Sequence, residues 1–214
     1  MLRGRKMKID WKIAYFIGVL HSDAHIYKFN NKKEGSVRNR LLLQIGPKSL
    51  PMANKFKQIL YTKFGRDVNI RKLPNKEAYK IQVSINLIYP LLKNWQKYNL
   101  PLEIKEDSLL FGAYLAGLID GDGYVKYKKY KGQIFACQIK IAAEEPLEEI
   151  ASLIELHLNC KVHYEKDKNK RGTGYNTCFL ISSKNYRYLL ENLEPHLTIP
   201  YKKERITTVC HKWL

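Results

Sequence analysis

Two segments of this chain carry a small residue at every fourth position and then end on a carboxylate. Ala14, Gly18 and Ser22 lead to Asp23, and Ala113, Gly117 and Gly121 lead to Asp122. Residues four apart lie on one face of a helix, so each apolar segment presents a smooth stripe along which a second helix can approach closely. Two such helices crossing through their stripes would bring Asp23 and Asp122 together. A helix C-terminus already carries partial negative charge, so two aspartates placed there side by side require a cation. Carboxylate donors favour Mg²⁺ or another hard divalent ion such as Mn²⁺. An ion held there beside a phosphodiester could activate water and neutralise the leaving oxygen.

The two segments are displaced by 99 positions, and the echo extends beyond them. Residues 79–106 align without gaps on 177–204 at an offset of 98, pairing Leu91-Leu92-Lys93-Asn94 with Leu189-Leu190-Glu191-Asn192 and Lys105-Glu106 with Lys203-Glu204. Two copies of this length indicate a duplicated domain rather than a solenoid. The expected organisation is a first half over 8–98, a linker over 99–107, a second half over 108–206 and a C-terminal tail over 207–214, with 201–214 a candidate terminal helix. Periodicity gives each half the same order. A helix (11–22; 109–121) leads into two strands (24–30 and 38–46; 123–130 and 133–142). A helix follows (50–63; 145–157), then two more strands (67–72 and 78–84; 160–166 and 175–182) and a last helix (86–97; 184–194). The class is α+β: two pseudo-symmetric αββαββα repeats, each with a four-stranded antiparallel sheet.

Charge points to the partner. The formal net charge is +18, and residues 1–107 hold 22 Lys and Arg against 8 Asp and Glu. A folded chain with that excess favours a polyanion, since Lys and Arg displace counterions condensed on nucleic-acid phosphates. A membrane surface fits less well, there being no basic amphipathic helix and no lipidation signal. No apolar run approaches the roughly 20 residues of a membrane-spanning helix. The four cysteines, Cys137, Cys160, Cys178 and Cys210, form no Cys-x-x-Cys pair, and the six histidines have no ligand spacing. Buried thiols in a reducing, intracellular setting are expected, without structural zinc.

Residues Leu115-Ala116-Gly117-Leu118-Ile119-Asp120-Gly121-Asp122-Gly123 match the signature of the LAGLIDADG homing endonucleases almost letter for letter. Residues Phe16-Ile17-Gly18-Val19-Leu20-His21-Ser22-Asp23-Ala24 match it loosely. With the repeat order, the resemblance extends over essentially the whole chain. It implies a monomeric enzyme whose motif helices form the interface between halves, and whose two sheets form a saddle over the major groove of a long, poorly symmetric double-stranded DNA site. It implies divalent-metal-dependent cleavage leaving short 3′ overhangs, with Asp23 and Asp122 as catalytic metal ligands. Basic residues ahead of a following helix commonly line such sites, and the repeat offers Lys105 and Lys203. The chain also departs from the pattern. His21 replaces the inner motif aspartate and is expected to be a buried or capping residue. The place just past the second strand, where relatives hold Gln or a similar residue, falls near Pro47 and Ala143, neither of which can position water through a side chain.

If the apolar residues of each strand face the helices, the alternate set faces outward. The first half then presents Tyr27, Phe29, Arg38, Arg40, Gln44, Arg71, Lys80 and Gln82, and the second Lys126, Lys128, Tyr130, Gln138 and Lys140. Arg, Lys and Gln can read base edges, and aromatic rings can contact thymine methyls. The run Lys166–Arg171 would lie near phosphates. The leading expectation is a site-specific DNA endonuclease. The alternatives on the same fold are a maturase binding host intron RNA and a non-cleaving DNA-binding protein.

Overall fold

The computed structural model describes residues 7–31, 35–95, 98–166 and 174–214. The first half runs α1 (Trp11–His21), β1 (Ala24–Asn31), β2 (Ser36–Ile45), α2 (Leu50–Phe64), β3 (Arg71–Lys72), β4 (Tyr79–Ser84) and α3 (Tyr89–Lys93). A short helix, α4 (Leu102–Glu106), leads to the second half: α5 (Ser108–Asp122), β5 (Gly123–Tyr130), β6 (Gln133–Ala143), α6 (Glu148–Leu158), β7 (His163–Lys166), β8 (Tyr175–Ile181), α7 (Tyr186–Tyr188) and α8 (Pro200–His211). Both sheets are antiparallel and share one strand order, β1-β2-β4-β3 and β5-β6-β8-β7. The duplication read from the offsets is thus a duplication of topology.

Local chemistry starts and stops these elements. Asp10 caps α1 by accepting from Ile13 N at 3.1 Å, and Asp107 caps α5 by accepting from Leu109 N at 2.8 Å and Leu110 N at 3.0 Å. Each cap satisfies amides that the first turn leaves without helical partners. Gly65 ends α2 in the left-handed region, at φ 62°, where a side chain would be strained. Helices α1 and α5 are apolar on every side, and Leu110 through Asp120 are all buried. A helix of that kind belongs at the centre of a fold. In the first sheet Leu41, Leu43, Ile45 and Ile81 turn inward onto the helices, and in the second Val125, Cys137, Ile139, Ile141, Phe179 and Ile181 do so.

Three segments differ from the sequence reading. The last helix of each half is shorter than expected over 86–97 and 184–194: α3 spans five residues, and α7 passes into a π turn over Leu189–Leu193 and a 3-10 turn over Glu194–His196. Pro195 has no amide to continue the ladder. The widened turn sets Asn192 O so close to Gly112 that a Cβ there would come well inside 3.0 Å. The linker also holds a short helix whose Ile104 is fully buried, so the join leaves little slack, as its shortness implies. Helix α8 continues through residue 206 to His211 and buries Val209 and Cys210, so the segment read as a tail begins as the packed end of a helix, with residues 211–214 exposed.

Candidate functional site

The two small-residue stripes meet. A Cβ built on Gly18 would fall inside 3.0 Å of Tyr114 O and 2.8 Å from Leu118 N, and one on Gly117 would fall inside 3.0 Å of Tyr15 O and 3.1 Å from Val19 N. Gly18 with Gly117, and Tyr15 with Tyr114, are equivalent positions of the repeat, so each helix packs its glycine on the other's tyrosine carbonyl about a pseudo-twofold axis. One turn further on, a Cβ at Gly121 would collide with the Ser22 side chain and lie 3.4 Å from Asp23 N. The axis therefore passes between Ser22 and Gly121, and the next residue on each side is Asp23 or Asp122.

Burial raises the pKa of both carboxylates. Asp122 is pushed up to about 6, first by desolvation and then by the charge of Asp23; Asp23 is also raised by desolvation. Lys202 lowers both. Its side chain is buried at 3% exposure, and its ammonium donates to the last-turn carbonyls of α5: Ile119 O and Asp120 O at 2.7 Å and Gly121 O at 3.2 Å. All three of its N–H groups are so used, at the electronegative helix end. Desolvation lowers the Lys202 pKa, while Asp120, Asp23 and Asp122 raise it. The donor set fits a hard divalent ion: two partly buried oxygen ligands from facing helices, each disfavoured as an anion until a cation joins them.

The inner motif positions, Asp120 and His21, have opposite chemistry. Asp120 is fully buried and accepts from Tyr15 Oη at 2.7 Å, Thr198 N at 2.9 Å, Thr198 Oγ1 at 2.7 Å and Ile199 N at 3.3 Å. These bonds hold the entry to α8, the helix that delivers Lys202. His21 occupies the equivalent place, with Nδ1 3.1 Å from Tyr114 Oη and Nε2 against Trp95 O. A backbone carbonyl can accept only, so this pocket supports a donor and not a carboxylate. Desolvation lowers the His21 pKa to about 4, which keeps the ring neutral, and both its nitrogens are already engaged by Tyr114 and Trp95, which makes it a structural replacement rather than a ligand.

Lys105 and Lys203 are each engaged by a carboxylate, Lys105 by Glu149 and Lys203 by Glu194 at 3.3 Å, whereas it is Lys202 that reaches the end of α5. Both lie one residue past an inward-facing position, Ile104 or Lys202, and successive helical residues point about 100° apart. Lys202 has no basic counterpart in the first half, where Ile104 stands instead. A cleft beside Asp122 is lined by His21, Ser22, Tyr98, Ala143 and Glu144. Ala143 ends β6 there, and desolvation, Asp122 and Glu144 together push Tyr98 up to about 12.

The strand registers place the expected outward set on the face away from the helices. Tyr27 lies opposite Arg40, Phe29 opposite Arg38, Gln44 opposite Lys80 and Arg71 opposite Lys80. The Arg40 guanidinium stacks 3.5 Å from the Phe29 ring centroid, and Gln82 Nε2 donates to Tyr27 Oη at 2.6 Å. His25 and Ser84 share this face as well, continuing the alternations His25-Tyr27-Phe29 and Lys80-Gln82-Ser84. In the second sheet Lys126 lies opposite Gln138, Lys128 opposite Ala136 and Lys140 opposite Tyr124, with a bulge between Lys128 and Lys129 ahead of the exposed Tyr130. One residue requires correction: Gln138 is covered by its neighbours at 3% exposure and is not presented to solvent, while Lys140 lies on the expected face, paired with Glu165. Within the run Lys166–Arg171, residues 167–171 lie outside the described residues. Among the described residues no helix is long and apolar enough to cross a membrane.

Residues 112–194 match the family model of a LAGLIDADG-like domain. No curated protein matches the chain by sequence. The fold is similar to the crystal structure of I-DmoI in complex with DNA and calcium, at 17% identity and a TM-score of 0.64, covering 92% of this chain and 97% of that one. It is also similar to the I-LtrWI LAGLIDADG homing endonuclease bound to target DNA, at 16% identity and a TM-score of 0.56, covering 95% and 91%. For the I-SmaMI LAGLIDADG homing endonuclease bound to cleaved DNA the figures are 15%, 0.56, 97% and 90%.

Proposed function

We propose that this chain, a two-motif LAGLIDADG protein whose second half matches that domain's model, is a site-specific, divalent-metal-dependent DNA endonuclease that makes double-strand breaks with short 3′ overhangs. The observation that carries the reading is the reciprocal seating of α1 on α5, which sets Asp23 beside Asp122 on a strongly basic chain. One chain supplies both carboxylates, so it acts as a monomer on a long, asymmetric site.

Asp23 and Asp122 are the residues that would hold Mg²⁺ or Mn²⁺; such an ion supplies Lewis acidity and a water nucleophile beside the scissile phosphate. The protein's own part is positional and electrostatic. The glycine seam fixes the spacing of the carboxylates. Lys202 sets its ammonium between the α5 carbonyls and the acid pair, and this moderates the repulsion before an ion arrives. Asp120 fixes Lys202 by holding Thr198 and Ile199 at the entry to α8. The outward strand residues, from Tyr27 and Phe29 through Arg38, Arg40, Gln44, Arg71, Lys80 and Gln82 to Lys126, Lys128 and Tyr130, would contact DNA, with Arg40 held by Phe29 as a base reader.

The test is cleavage of the intronless junction of the host gene, or of a site selected from randomised duplexes, in Mg²⁺ or Mn²⁺. A specific double-strand break lost on chelation supports the reading. A second reading, binding to host intron RNA without cleavage, draws on Pro47 and Ala143 standing where a water-positioning side chain would be expected. Splicing that depends on the protein, with the natural junction uncut in every divalent metal, would select it.

A further inference from the structure

The outer face of the second sheet carries a cluster of a different chemical kind from the acid pair. His163 and Glu165 are two apart on β7, so their side chains leave the strand on the same face. Cys178 on β8 is the cross-strand partner of His163. A ring nitrogen, a carboxylate oxygen and the sulfur lie within 4.8 Å of one another, with His163 Nε2 3.4 Å from Glu165 Oε1. Cys178 is fully buried although it sits on the polar face of the sheet, opposite Lys140. Spacing in the sequence gives no hint of this set, because the third donor is brought from the next strand by register alone.

We propose that His163, Glu165 and Cys178 form a site for a thiophilic divalent ion of the Zn²⁺ class, with one coordination position open to water. A sulfur, nitrogen and oxygen set is softer than a carboxylate pair and selects Zn²⁺ over Mg²⁺ or Ca²⁺. Bonds of about 2.0–2.3 Å at tetrahedral angles place donors about 3.5 Å apart, so the cluster closes by roughly 1 Å, within reach of side-chain rotation. Lys140 now occupies the cationic role, paired with Glu165. An incoming ion takes that role, Lys140 swings clear, and the Cys178 thiol releases its proton to solvent as the metal–sulfur bond forms. The site needs neither DNA nor the acid pair, so it stands or falls independently of the nuclease reading.

Co²⁺ added to the full chain is the probe, read by thiolate-to-cobalt charge-transfer absorption, which oxygen ligands do not produce. The expected result is one equivalent bound with that absorption, displaced by Zn²⁺, and unchanged when Asp23→Asn and Asp122→Asn are combined. Cys178→Ser abolishes the absorption. His163→Gln, at an exposed strand position, weakens Co²⁺ binding by at least about tenfold, since loss of mere supporting groups at metal sites already costs about that much. Lys140→Met removes the competing ammonium and tightens binding. The proposal is overturned if no charge-transfer absorption develops, if it persists in Cys178→Ser and so arises from another free thiol, or if His163→Gln binds as wild type does.

Discussion

Replacing Gly117 with alanine reverses the usual sign of such a change. In an exposed helix, Gly→Ala stabilises by about 1 kcal/mol. Here the new methyl would fall inside 3.0 Å of Tyr15 O and 3.1 Å from Val19 N. Both neighbours are backbone of a fully buried helix, so no side chain can rotate aside, and the helices must part by roughly 1 Å to reach an ordinary carbon contact. Overpacking of a dense core costs about 1–3 kcal/mol. Backbone against backbone belongs at the upper end, leaving a net loss of about 2 kcal/mol once the helical gain is subtracted. For a chain of this size that lowers Tm by about 4–8 °C. Gly18→Ala acts on the same seam, where the methyl would lie 2.8 Å from Leu118 N. Once the helices have parted for one methyl the second costs less, so the double variant falls short of additivity by about 1 kcal/mol. Thermal and urea denaturation of the two single variants and the double variant read this out. A Tm for Gly117→Ala at or above wild type would refute the close crossing.

Four further outcomes follow from the same geometry. Lys202→Met removes a donor shared by three last-turn carbonyls and the cation that faces Asp23 and Asp122, a loss of about 3 kcal/mol or more in urea denaturation; Lys203→Met, next door but partly exposed, costs under about 1 kcal/mol. His21→Asp, which restores the motif letter, sets a carboxylate against Trp95 O with no donor from that carbonyl, and costs about 3 kcal/mol at neutral pH, with stability recovering on acidification. The apo protein's pH dependence carries opposed contributions, with Asp23 raised alongside Asp122 and His196 lowered to about 4 alongside His21. Asp122, raised to about 6, contributes stability present below its unfolded value near 4 and lost as pH rises through 6. His21, lowered to about 4, contributes stability present above about 6.5 and lost as pH falls toward 4. Asp122→Asn therefore raises apo stability at pH 7.5 and steepens the acid limb in a denaturation series from pH 7.5 to 4. Arg40→Ala weakens DNA binding in a titration against salt and relaxes preference at one base position, by about 1–3 kcal/mol.

Much of this was legible because repetition exposes what single motifs hide. The stripes Ala14-Gly18-Ser22 and Ala113-Gly117-Gly121 encode their own crossing, since a small residue every fourth position lets another backbone come close, and the crossing places Asp23 beside Asp122. Strand alternation placed Arg38, Arg40 and Lys80 on one face because period two survives any detail of packing. The misses have a common cause. The repeat aligns Lys105 with Lys203 and so hides Lys202, whose buried position aligns with Ile104; an asymmetry between the halves is invisible to an inference built on symmetry. Gln138 lies on the outward face, but alternation carries no information about which neighbours fold over a side chain. The last helix of the second half changed its winding where Pro195 follows it and Asn192 approaches Gly112, a tertiary demand that helical periodicity over 184–194 does not contain.

The decisive measurement is single-turnover cleavage of the cognate duplex in Mg²⁺ or Mn²⁺ by wild type, Asp23→Asn and Asp122→Asn, with both strands followed. If the two carboxylates form one centre on the pseudo-twofold axis, each substitution alone abolishes the double-strand break while specific binding to the duplex persists. Undiminished double-strand cleavage by either variant would contradict the paired site.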